Sequence, residues 1–156
     1  MLIRRAVPSD VEQIRGVVLR SIGGVAAGVY TAEQLDAWSA GFNDVAVAAA
    51  VDHTFALVAE MDDRVVGFAD LIMRDDTVAE IDLVYVDPAH QRSGVARALL
   101  AALETHAISE GIGELAADAS IPAVELFASV GYAVQSRYDK HVRGLVFANT
   151  WMLKKR

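Results

Sequence analysis

The stretch from Val78 to Glu104 constrains this chain more than any other, because it reads as a strand, an abrupt stop and a long helix. From Val78 to Val86 the side chains alternate, with Ala79, Ile81, Leu83 and Tyr85 predicted on one face and Glu80, Asp82, Val84 and Val86 on the other. Two carboxylates therefore share a face of the expected strand. Asp87 and Pro88 end it, since proline has no N–H for a ladder and disfavours helix in the residue before it. Beyond Gly94, the residues Val95, Leu99, Leu103 and Ala107 recur at helical intervals, the stripe of an amphipathic helix starting near Ser93.

Between stop and stripe lies Gln91-Arg92-Ser93-Gly94-Val95-Ala96. Gly94 and Ala96 are small enough for a ligand to lie against the backbone at the helix start. There the first N–H groups are unpaired and the macrodipole is positive, so a pyrophosphate is a natural guest, with Arg92 and Arg97 adding charge. The six residues fit the pattern Q/R-x-x-G-x-G/A and follow a strand ending Val84-Tyr85-Val86-Asp87-Pro88. In that order and spacing the segment resembles the acyl-CoA-binding core of the GNAT superfamily of N-acyltransferases.

The resemblance implies acetyl-CoA as cosubstrate. The strand ending at Val86 should splay from the next one, leaving main-chain groups of Val84, Tyr85 and Val86 to pair with the pantetheine arm as an added strand would. The diphosphate should lie against the backbone of Gln91, Arg92, Ser93 and Gly94, and of Val95, Ala96 and Arg97 in the first helical turn. Glu80 stands where many members carry the catalytic base, and Asp82 is a second candidate on the same face; neighbouring carboxylates raise the pKa of one of them. An N–H near Val84 freed by a strand bulge would suit the oxyanion.

Members often carry N-x-x-A-x-x-x-Y around the last helix, the tyrosine protonating the departing thiolate. Here Ser120 and Phe127 occupy those two places, both expected beside the cofactor, and phenylalanine donates no proton. Either water serves or another group does, with Tyr138, Tyr132 and Tyr85 nearby by strand position. The segment joining the first two helices commonly lines the acceptor pocket, which makes Tyr30, Trp38 and Phe42 substrate candidates.

The remaining chain fits this frame. Leu2 to Ala6 reads as a first strand, and Ser9 with Glu12 as a capping box before a helix bearing Ile14, Val17, Val18 and Ile22. Gly23 and Gly28 have P-loop spacing, but Val29 stands where lysine is needed. Thr31 with Gln34 caps a second helix, and Asn43 to His53 is an ambiguous alanine-rich stretch, read as a further short helix. Thr54 to Glu60 and Val65 to Met73 form a hairpin feeding the Val78 strand. Glu114 to Asp118 is a buried strand, and Ser120 with Pro122 opens the last helix, which Gly131 ends. Tyr132 to Lys140 and Leu145 to Leu153 are final strands turned at His141-Val142-Arg143-Gly144, with Lys154 to Arg156 a solvated tail.

The order is α+β, a mixed, mostly antiparallel twisted sheet of six to seven strands flanked by about four helices, similar to the GNAT arrangement over residues 1–156 as a single domain. The absence of cysteine excludes disulfides and thiolate chemistry, and the histidines lack metal-ligand spacing, so no metal is expected. A net charge of −7 argues against nucleic acid or an anionic membrane as partner. Nothing in MLIRRAVPSD directs export, so a cytoplasmic location is expected. The expected activity is acetyl transfer to a primary amine, a small molecule or a peptide N-terminus, through a ternary complex. An acyl-CoA-binding sensor and an O-acyltransferase are the alternatives, and a homodimer through the C-terminal strands is in keeping with the family.

Overall fold

The computed structural model describes the whole chain, Met1–Arg156. Seven strands form one sheet: β1 (Leu2–Arg5), β2 (Phe55–Met61), β3 (Arg64–Met73), β4 (Val78–Val86), β5 (Glu114–Ala119), β6 (Ala133–Val142) and β7 (Leu145–Lys155). Their order across the sheet is β1-β2-β3-β4-β5-β7-β6. Every neighbouring pair is antiparallel except β4 and β5, joined by a crossover through α4 (Val95–Ser109). On that face Leu99, Leu100, Leu103 and Ala107 of α4 pack on Leu71, Ile81 and Leu115 of the sheet, and α5 (Val124–Ser129) adds Phe127. The opposite face is covered by α1 (Val11–Gly23) and α3 (Asp44–His53), whose Ile14, Val17, Val18, Val47 and Val51 bury Val58 and Phe68. A fully buried side chain of this size stabilises by roughly 1.5–3 kcal/mol, so the two apolar layers hold the sheet between them. A fifth helix, α2 (Ala32–Ala40), lies over the β6–β7 end, tied by Gln34 Nε2 to Val146 O at 2.8 Å.

Gly67 on β3 explains how closely α4 approaches. A Cβ there would come 2.8 Å from Val95 Cγ1 and 3.0 Å from Leu99 Cδ1, so only glycine lets the first turn of α4 rest on the strand. The turns follow backbone need. Asp62 and Asp63 both have positive φ in the β2–β3 hairpin, and so do Arg143 and Gly144 between β6 and β7, the two-residue geometry that matches strand twist.

Several expectations are corrected. The alternation along β4 breaks at Asp82: Asp70 pairs with Leu83 and Leu71 with Ile81, so Asp82 is an extra residue with no partner on β3. Past this bulge the faces exchange. Val84 and Val86 join Ala79 and Ile81 on the α4 side, whereas Leu83 and Tyr85 turn toward the α1 side. Ser9 and Glu12 form no capping box. Pro8–Asp10 is a 3-10 turn, and Asp10 accepts from the Val7 N–H at 2.9 Å while pairing with Arg4 at 2.8 Å. Ser120 makes no side-chain cap either. His141 and Val142 belong to β6, because the tight turn needs only Arg143 and Gly144. Lys154 is no loose tail: it pairs with Leu115 in the sheet, and its Nζ meets Glu104 at 2.8 Å. The alanine-rich stretch is a helix, as expected, capped by Asn43, whose side chain accepts from the Ala46 N–H, and with it the helices number five.

Candidate active site

The parallel pairing of β4 and β5 lasts only from Val78 with Glu114 to Ile81 with Ala117. Beyond that the strands part, and a cavity of about 880 Å³ opens between them, large enough for a cofactor arm and an acceptor together. On its β4 wall, the N–H of Leu83 points to Asp70 and that of Asp87 to Val66 on the β3 side. Strand alternation then turns the N–H groups of Val84 and Val86 into the gap. The Val86 carbonyl is met by the Gln91 side chain at 3.2 Å.

At one end the cavity meets the start of α4. Asp87 accepts from the Ala89 N–H, and Arg20 of α1 grips Asp87 at 2.7 Å, so the end of one helix braces the start of the other. Arg92 and Gly94 have φ of 61° and 87°, left-handed positions that turn the chain sharply into the helix. No protein atom lies within 4 Å of where a Gly94 Cβ would stand. Gln91, Arg92, Gly94, Val95, Ala96 and Arg97 all border the cavity, and so does His90, whose buried Nδ1 has no hydrogen-bond partner. An anion seated on this cradle would meet helix N–H groups and two guanidinium groups. Ser93 stands aside, its hydroxyl donating to the His90 carbonyl.

The middle and far end hold the reactive groups. Asp82, on the bulge, borders the cavity without hydrogen-bond or ion-pair partner, and burial raises its carboxyl above the usual value. Glu80, expected as the base, is 3% exposed, paired with Arg74 and outside the cavity lining. Its carboxyl is also raised, chiefly by burial. Tyr138 is likewise outside: it is 39% exposed on β6 and borders no part of the cavity. Tyr132 packs edge-on against Phe127 at 5.1 Å and does not reach the cavity. Ser120 and Phe127 do line it, as does Tyr85, whose hydroxyl accepts from Trp38 Nε1 at 3.0 Å.

Tyr30 and Trp38, the expected substrate residues, both line the far end together with Phe42. Tyr30 does a second job: its hydroxyl accepts from the Ile121 N–H at 3.1 Å, filling the capping place that Ser120 leaves. Sequence reasoning missed Asp118, Lys140, Phe147 and Asn149, which the pairing of β5, β7 and β6 brings to the same wall. Lys140 pairs with Asp118 at 2.8 Å, and Asn149 Nδ2 donates to its other oxygen at 3.1 Å. It also missed Asp70, fully buried behind the bulge with its carboxyl pushed up to about 7 by burial and by the nearby Asp82 charge.

The profile of the acetyltransferase (GNAT) domain matches residues 26–152. The uncharacterized N-acetyltransferase YafP of Escherichia coli K12 is 30% identical over 150 residues, 96% of this chain and 93% of its own. A crystal structure from Rhodopseudomonas palustris, described as a GCN5-related N-acetyltransferase and as an aminotransferase of class II, superposes with a TM-score of 0.91 at 31% identity, over 99% of this chain and 95% of that one. The PaiA N-acetyltransferase of Thermoplasma acidophilum, solved in complex with coenzyme A, gives 0.85 at 20% identity over 99% and 98% of the two chains, a likeness of fold.

Proposed function

The chain belongs to the GNAT acetyltransferase family and is an acyltransferase, and from that premise we propose that it moves an acetyl group from acetyl-CoA to a primary amine by direct attack in a ternary complex. The observation that carries this reading is the gap beyond Ile81 and Ala117, floored by strand groups and closed at one end by the α4 cradle. Acetyl-CoA supplies the activated acyl group. Val84 and Val86 offer main-chain groups to its pantetheine amides, and the Val84 N–H is the donor aimed where an oxyanion would form. The turn from Gln91 to Arg97 receives the diphosphate. Ser120 and Phe127 form the wall opposite β4.

Asp82 is the base in this reading, because it alone of the β4 carboxylates faces the cavity. It takes the proton the amine loses as its lone pair forms the C–N bond; the C–S bond breaks and the sulfur keeps the electron pair. Glu80, buried with its charge paired to Arg74 and outside the cavity lining, is not the proton acceptor in this reading. Phe127 donates nothing and the Tyr138 hydroxyl, outside the cavity lining, is engaged with Asp118, so in this reading water protonates the thiolate, a modest demand since a free thiol titrates only a little above neutrality. Tyr30 and Trp38 hold the acceptor. Residues 1–156 act as one N-acetyltransferase domain in the cytoplasm on a small-molecule or peptide amine, without nucleic acid or membrane. The exposed edge strand β6 supports a homodimer through the C-terminal strands.

Thiol release from acetyl-CoA, followed with and without amines, tests the proposal. Release that depends on the amine and falls in Asp82→Asn is expected; binding of acetyl-CoA with no amine-dependent release would overturn transfer in favour of a sensor.

A further inference from the structure

The acceptor end of the cavity is walled by rings. Tyr30, Trp38 and Phe42 from α2 and its flanks, Tyr85 from β4 and Phe147 from β7 converge there and interlock. Tyr30 meets Trp38 at 5.5 Å and Phe147 at 5.6 Å, and Phe42 meets Tyr85 at 5.4 Å. The Trp38 N–H is already engaged, and each tyrosine hydroxyl already accepts one hydrogen bond, keeping only its O–H to donate. Trp38 Nε1 donates to the Tyr85 hydroxyl, and the Tyr30 hydroxyl accepts from Ile121. What faces an incoming molecule is therefore mostly carbon.

Charge is equally sparse. Asp118 has one oxygen on Lys140 and the other on Asn149, so its charge is spent inside the wall. Asp82 is the one carboxylate at this end with no partner. A single free negative charge beside a ring wall matches one ammonium group, and ring faces attract a cation further. A second ammonium on the same molecule would meet Lys140. A hydroxyl-rich body would lose its water and find few donors or acceptors in exchange.

We infer that the acceptor is a monoamine carried on a flat, apolar body of aromatic size, of the arylalkylamine class, with its nitrogen at Asp82 and its body laid against the wall that Trp38 and Phe147 form by their edge-to-face contact at 6.5 Å. This rests on the acetyl-transfer reading for the reaction, but the binding preference can be measured without turnover. Calorimetric titration of 2-phenylethylamine, spermidine and an aminoglycoside into the protein saturated with coenzyme A should give at least tenfold tighter binding for phenylethylamine. Trp38→Ala, and separately Phe147→Leu in case the first disturbs folding, should erase most of that margin while acetyl-CoA still binds. Equal or tighter binding of spermidine or the aminoglycoside overturns the inference, and so does a margin that survives both variants. Preferential binding of phenylethylamine with no thiol release from acetyl-CoA would sustain the ligand class and defeat the transfer reading.

Discussion

Asp70 Oδ1 accepts a hydrogen bond from the Leu83 N–H at 2.9 Å, filling with a side chain the ladder position that the extra residue Asp82 disrupts. The bulge thus leaves the Leu83 N–H paired, and the Val84 N–H, proposed as the oxyanion donor, lies on the other side of the strand. The second Asp70 oxygen lies 3.1 Å from Thr54 Oγ1, which is 2.7 Å from the Ala50 carbonyl. One hydroxyl proton cannot serve both acceptors, so a neutral Asp70 completes the chain by supplying its own.

Asp70 is accordingly a stability switch of known sign. Its folded carboxyl titrates at about 7 against an ordinary 3.8, so its contribution is full below the lower value and is lost as pH rises through the upper one. Roughly 1.4 kcal/mol per pH unit sets a ceiling on the order of 4 kcal/mol. Urea unfolding at pH 5 and pH 8 should show Asp70→Asn gaining on the parent protein at the higher pH; an identical difference at both would remove the neutral carboxyl from the account.

Gly94 should be the most sensitive residue for cofactor affinity. Its φ of 87° strains most other L residues, and the space beside it is clear of protein. Gly94→Glu should weaken acetyl-CoA binding at least a hundredfold with the circular dichroism spectrum unchanged. Gly94→Asn, which tolerates this backbone, separates strain from obstruction and should lose far less.

Gly67→Ala probes the seat of α4. With Val95 Cγ1 only 2.8 Å from the added carbon, the first turn must shift, at a cost of about 1–3 kcal/mol in denaturant unfolding. Because that turn borders the cavity where the diphosphate is proposed to lie, acetyl-CoA affinity should fall as well. Full affinity in a destabilised variant would separate the cradle from this contact.

The pH dependence of turnover distinguishes the two β4 carboxylates. Asp82 must be ionised to act, and burial raises its carboxyl, so the acid limb of kcat/KM should lie above 3.8. Asp82→Asn should abolish that limb and lower kcat/KM by about 10²–10⁴, the usual contribution of a positioned base. Glu80→Gln should cost much less. The reverse order of the two losses would hand the role back to Glu80.

Much of this was legible in the sequence, and the failures share a cause. Strand, Asp-Pro stop and apolar stripe from Val78 to Glu104 are local signals, and the strand-turn-helix they specify is present, with the Gly67 seat and the Arg20–Asp87 pair added by tertiary packing. The bulge at Asp82 is invisible to alternation because an extra residue is defined only by the partner strand, so every face assigned beyond it came out reversed. Asp118, Lys140 and Phe147 reach the site through cross-strand register, and Tyr30 replaces Ser120 as a cap from ninety residues away. The Thr31 and Gln34 box held because both of its bonds lie within four residues.

The central claim, that the β4–β5 gap and the α4 start grip an acyl-CoA, is tested most directly by a crystal structure of the protein with coenzyme A. The account predicts diphosphate oxygens within hydrogen-bond distance of main-chain N–H groups between Gln91 and Arg97, and a pantetheine amide paired with Val84 or Val86. A diphosphate bound anywhere else, with the gap left to solvent, would contradict it.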